Sequence, residues 1–195
     1  MRNRKAFVPL AVALLTLGVW TGDAEAQAGW FFDAEAGAVL PVGNMGDALR
    51  NGPTFGVAAG QEFENVNVGL SFDIDLLPGE RFTDPDTDDV FDGPGADFYR
   101  YHVFGEYGFL DPRRSEDRVN LVISAGGTTM STDEFSDGES VTATYFSIEV
   151  GMHVGIGSFF GEGLWGGLFA DSNDTAELND FGTASTFIVK VGVRL

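Results

Sequence analysis

Cysteine is absent from the 195 residues. Disulfide staples and a lipidated cysteine anchor are therefore excluded, and hydrogen bonding and packing must hold the fold. Cations are scarce: 11 Lys and Arg stand against 30 Asp and Glu, a formal net charge of −19. Such acidity repels phosphate backbones, so no nucleic-acid partner is expected. Beyond residue 28 there is no sustained helical period. There is also no apolar run near the roughly twenty residues a membrane helix needs. Mean hydropathy is close to zero. A membrane barrel also averages near zero, because half of every strand faces water or the lumen.

The one long apolar run lies at the start. Arg2, Arg4 and Lys5 precede Ala6 to Trp20, an apolar stretch of 15 residues, and Ala24-Glu25-Ala26 follows as a small-residue cleavage signal. This is the layout of an export signal; the run is short for a membrane anchor and contains Pro9. The expected division is a cleaved signal peptide over 1–26, with cleavage after Ala28 as the alternative, and one domain over 29–195.

What recurs along that domain is period two, the signature of strands with two unlike faces. Ser185 to Leu195 shows it plainly. Phe187, Val189, Val191, Val193 and Leu195 share one face, while Lys190 and Arg194 lie on the other. Val66 to Leu76 is as regular, with Val66, Val68, Leu70, Phe72, Ile74 and Leu76 opposite Asn67, Gly69, Ser71, Asp73 and Asp75. Further strands are expected over Trp30–Leu40, Thr54–Gln61, Asp97–Phe109, Arg118–Ala125 and Ser140–Ile156. Another follows the Gly157-Ser158 turn, whose leading Gly suits type II′.

The count is eight strands. Long connections are expected near 41–53, 77–97, 126–140 and 170–183, and short ones near 62–65, 110–117 and 157–158. Pro78, Pro85, Pro94 and clustered Asp exclude strand from the second long connection on this reading. Long and short connections alternate, as in a barrel whose two termini share one rim. The polar face carries Asp33, Glu35, Asp73, Asp75, Arg100, Glu106, Glu149, Glu162, Lys190 and Arg194. That set suits a small charged lumen, with the apolar face toward lipid. Aromatics gather toward strand ends: Trp30, Phe31, Phe32, Phe63, Phe109, Phe159 and Phe160 near the short turns, and Tyr99, Tyr101, Trp165, Phe169 and Phe187 toward the long loops. The expected fold is all-β: an eight-stranded antiparallel up-and-down transmembrane β-barrel. Closure sets the last strand beside the first, so Asp33 or Glu35 should lie within ion-pair distance of Lys190 or Arg194.

Taken together, the export signal, Gly37 to Asn44 (GAVLPVGN), the strand–turn series and the terminal Phe187-x-Val189-x-Val191-x-Val193-x-Leu195 resemble a known family. It is the class of small outer-membrane β-barrel proteins, OmpA-like and OmpX-like. The resemblance implies residence in the outer membrane among its lipid and lipopolysaccharide, and a final strand read by the membrane's insertion machinery. Members usually end in an aromatic residue, and here Leu195 is last. The implied role is non-enzymatic, in envelope integrity or surface interaction. The alternatives are a small passive transporter or narrow channel, a lipid A-modifying enzyme, and a soluble lipocalin-like binder.

No cofactor and no catalytic residue are expected. His102 and His153 both project inward by parity, and Ser147, Glu149 and His153 share a face. Ser147 and His153 are six residues apart, however, about 20 Å along a strand. Asp84, Asp86, Asp88, Asp89 and Asp92 form a candidate divalent-cation loop for Ca2+ or Mg2+. Counted from Asp84, the sixth and twelfth positions are Asp89 and Gly95, not the Gly and Glu of an EF-hand, so only looser binding fits. Asp171, Asn173, Asp174, Glu177 and Asp180 make a weaker case of the same kind.

Overall fold

The computed structural model describes residues 29–83, 88, 90–110, 117–132, 142–169 and 184–195. The expected signal peptide and most of the long-loop tips lie outside these residues.

Alternation produces strands, and strand pairing closes them into a ring. The staves are β1 (Gly29–Val42), β2 (Gly52–Phe63), β3 (Val66–Leu77), β6 (Ala96–Gly108), β7 (Arg118–Thr132), β8 (Thr142–Ile156), β9 (Phe159–Phe169) and β10 (Ala184–Arg194). Each pairs antiparallel with its sequence neighbour in the ring, and β10 returns to β1, closing an eight-stranded barrel. Closure leaves no row of unpaired backbone groups, which a membrane interior requires. The seam aligns Asp33 with Arg194, Gly37 with Lys190 and Leu40 with Phe187. It runs to the last residue, where the Leu195 amide donates to the Phe32 carbonyl at 2.9 Å.

Two connections are two-residue turns. At Gly157-Ser158 the glycine has φ +58 and the serine keeps a negative φ, as a type II′ turn demands. At Glu64-Asn65 the glutamate itself takes φ 39, a region that disfavours a residue with a Cβ.

Three expectations need correction. The stretch expected to exclude strand contains a small hairpin, β4 (Arg81–Thr83) with β5 (Val90–Asp92). The prolines that argued against strand flank or separate the paired triplets and never fall within them. Arg81 Nε donates to Asp92 Oδ1 at 2.9 Å, holding the pair together. Second, β7 runs on to Thr132, through residues 126–132 expected to be loop, because pairing with β6 continues to Thr132 and pairing with β8 to Ser131. This levels the lengths: the short-side connection between Gly108 and Arg118 is as long as the long-side one between Thr132 and Thr142. Third, the loop after β1 folds into one helical turn, α1 (Asn44–Ala48).

The outer surface is the apolar face. Phe55, Val57, Leu70, Phe72, Val103, Ile123, Ile148, Val150, Met152, Trp165, Val189 and Val191 are all exposed on it. A contiguous apolar surface on this scale belongs in lipid, since soluble monomers rarely expose more than a few hundred Å² in one patch. Trp30 and Phe32 face outward near the short-turn rim. Phe31 and Phe160, expected in the same girdle, do not: they are buried in the lumen. Parity forces this, because each follows or precedes a residue committed to the outside.

Candidate functional site

The lumen has three layers. At the long-loop end, inward positions that the alternation left apolar meet beneath α1. Val39, Leu77, Phe98, Met130, Leu168 and Ile188 pack there with Met45 and Leu49. Met45 is only 1% exposed. The segment that carries it is tied down from outside: the Arg50 amide donates to the Pro78 carbonyl at 2.8 Å, and the Glu80 amide to the Ala48 carbonyl at 2.9 Å. An apolar stopper at this end was not expected from the sequence, since its residues come from seven separate segments and only register assembles them.

The middle layer is ionic. Arg100 donates to Asp75 through Nε and Nη2, at 2.8 and 2.9 Å, and to Glu149 through Nη1. Its Nη2 also reaches Thr54 Oγ1 at 3.3 Å. Lys190 Nζ donates to Glu35 at 2.6 Å and to Asp73 at 2.8 Å, bridging from β10 to β1 and across to β3. Arg194 clasps Asp33 through Nε and Nη2 at 2.8 and 2.6 Å and donates to Glu106 Oε1 at 3.0 Å. The seam thus carries both pairs that closure implied, Lys190–Glu35 and Arg194–Asp33. The ten lumen charges named from the sequence all enter this network, with Glu162 at its edge, 3.6 Å from Lys190. Room for it comes from a missing side chain: a Cβ at Gly56 would lie 2.2 Å from Asp73 Oδ1. Each of these charges has at least one oppositely charged partner, the three cations being shared among the carboxylates.

The short-turn end is polar and aromatic. Asn67 and Asn120 both donate to Glu106 Oε2 at 2.8 Å. Phe31 lies under the Arg194 guanidinium, 4.0 Å from ring centre to carbon, a cation–π contact. Phe160 stacks on His153 at 4.5 Å.

The two histidines occupy different layers. His102 Nε2 lies 2.6 Å from Ser147 Oγ, and its Nδ1 lies 3.3 Å from Glu149 Oε2. Spacing along β8 does not reveal this serine–histidine–carboxylate chain, because the histidine comes from β6. The serine is buried and also bonded to Thr128 Oγ1 at 2.8 Å. His153 joins Glu106 and Glu162 instead.

The acidic loop is only partly visible. Asp84, Asp86 and Asp89 lie outside the described residues, as do Asp171, Asn173, Asp174, Glu177 and Asp180. Asp88 is exposed. Asp92 Oδ1 accepts from Arg81 and, at 3.5 Å, from Arg50. Guanidinium groups therefore already neutralise that carboxylate.

No protein-family profile matches the chain, and no curated protein is similar to it in sequence. Among solved structures it is similar to Neisserial surface protein A, NspA, at TM-score 0.57 and 16% identity, over 86% of this chain and 97% of that one. It is also similar to the N-terminal β-barrel domain of OprF from Pseudomonas aeruginosa, at TM-score 0.49 and 12% identity, over 87% and 100%. Ail from Yersinia pestis, in a phospholipid bilayer nanodisc, gives 0.49 and 17%, over 86% and 100%. The likeness to NspA is one of fold. The apolar belt and the charged lumen make this chain a β-barrel of the membrane-spanning kind.

Proposed function

We propose that the barrel is a non-enzymatic element of the outer membrane, serving envelope integrity or surface interaction through the loops of its long-loop rim. One observation carries the reading: the lumen is filled. The stopper of Met45, Phe98 and Ile188 covers one end, and the Arg100, Lys190 and Arg194 network crosses the middle. An eight-stranded barrel has just enough interior for its side chains, and here they occupy it. The loops and the outer face are then what remains for contact with lipopolysaccharide, with divalent cations at the acidic loops and, during assembly, with the insertion machinery through β10.

Planar-bilayer recording of the refolded barrel tests this. The expected result is an absence of stepwise conductance at voltages the bilayer tolerates. Persistent unitary currents would overturn the reading in favour of a small passive transporter. The Ser147–His102–Glu149 chain is the one observation favouring a hydrolase. Lipid A masses that change on overexpression, and stop changing in Ser147→Ala, would establish that reading in place of ours.

A further inference from the structure

Glu106, His153 and Glu162 converge near the short-turn rim, from β6, β8 and β9. His153 Nδ1 lies 3.6 Å from Glu106 Oε1 and 3.6 Å from Glu162 Oε2. That spacing is too long for a hydrogen bond to either carboxylate. It is, however, the edge of a coordination tetrahedron. Metal–ligand bonds of about 2.0 to 2.2 Å at tetrahedral angles set neighbouring donors roughly 3.3 to 3.6 Å apart. We propose that these three side chains bind one divalent transition-metal ion of the zinc type inside the barrel, with water as the fourth ligand.

Two further observations point the same way. His153 is 1% exposed, and its Nε2 has no hydrogen-bond partner among the described residues. Coordination engages Nδ1, the nitrogen that faces both carboxylates, and gives the buried ring a polar task on that side; Nε2 takes no part in the site. The stacked Phe160 ring fixes its plane. The charges of the lumen are also out of balance. Among the described residues, Asp33, Glu35, Asp73, Asp75, Glu106, Glu149 and Glu162 face three Lys or Arg side chains, Arg100, Lys190 and Arg194. Glu162 is the least compensated: its cation is Lys190 at 3.6 Å, already engaged with Glu35 and Asp73.

The surrounding charges set the terms of binding. Arg194 donates to the same Glu106 oxygen at 3.0 Å, and Lys190 stands beside Glu162; both oppose a cation. The excess of carboxylates outweighs them; Asn67 and Asn120 hold the other Glu106 oxygen, so the metal shares Oε1 with Arg194 alone. One oxygen and one nitrogen donor type, in a compact three-ligand set, suits zinc better than calcium, which takes six to eight oxygens. A small lumen cavity lined by Asp33, Glu35, Glu106, Glu162 and Lys190 adjoins the ligands.

The test uses the refolded full barrel in detergent, stripped with chelator and titrated with Zn2+ alone by calorimetry and metal analysis. One tightly bound equivalent is expected. His153→Asn and Glu162→Gln should each weaken it by about 100-fold or more, and His102→Gln should leave it unchanged. Heat-modifiable gel mobility identifies variants that fail to fold. Whatever the variants do, Co2+ bound to the unaltered barrel should show the intense visible absorption of a tetrahedral site. No stoichiometric binding, binding indifferent to His153 and Glu162 in folded variants, or a weak octahedral Co2+ spectrum would each overturn the proposal.

Discussion

Arg100→Met should lower the unfolding free energy of the barrel by about 3 to 5 kcal/mol, the usual consequence of removing one partner from a buried ionic cluster. Arg100 is 3% exposed and binds Asp75 with two nitrogens, Glu149 with a third, and lies 3.9 Å from Asp73. Methionine fills much of the same space. It leaves three carboxylates facing one another, and only Asp73 keeps a cation, Lys190. Urea titration in detergent or vesicles, followed by tryptophan fluorescence, measures the loss. Arg100→Lys should fall between, because an ammonium cannot make the forked contact with Asp75. Adding Asp75→Asn and Glu149→Gln to Arg100→Met should recover part of the stability, since the damage comes from unpaired charge rather than lost volume. A neutral result for Arg100→Met alone would mean that water reaches the cluster and that the lumen is not filled.

Val150→Arg should cost about 2 to 4 kcal/mol, from the opposite side of the same wall. Val150 is exposed, and it sits mid-strand with Ile123 and Trp165 as its cross-strand neighbours. An arginine there meets hydrocarbon. The same change at Ile156, beside the Gly157-Ser158 turn, should cost only about 0 to 1 kcal/mol, because the side chain reaches the interface. The gradient with depth is the informative quantity. On a water-exposed surface both substitutions would be nearly neutral, and the belt would need another explanation.

Period two carried most of the architecture. In β3 and β10 the alternation alone tells inside from outside, because shifting a strand by one residue would put Asp73 or Lys190 into lipid. The same parity predicts that Lys190 and Arg194 meet β1, since closure is the one way to satisfy eight amphipathic strands. The rest depends on register, which alternation does not contain. Lys190 reaches Asp73 across the lumen, and His102 reaches Ser147 from a different strand; neither pairing follows from spacing along one chain segment. The apolar stopper was hidden for a related reason. Val39, Leu77, Phe98 and Ile188 are single inward hydrophobes near strand ends, each unremarkable until the ring brings them beneath Met45. Phe31 and Phe160 show the reverse error, in which a bias of composition toward aromatic girdles outweighed the parity of the positions. The β4–β5 hairpin escaped because its paired triplets are too short to show a period among the acidic residues around them.

Cysteine scanning tests the central claim most directly, and the absence of native cysteine makes every introduced thiol unique. Nitroxide labels at Leu70, Val150 and Val191 in the reconstituted barrel should collide readily with dissolved oxygen and hardly at all with a water-soluble nickel chelate. That result places the apolar face in lipid and the charged face inside. Labels at these three positions that are freely relaxed by the nickel chelate would put the same face in water and contradict the account.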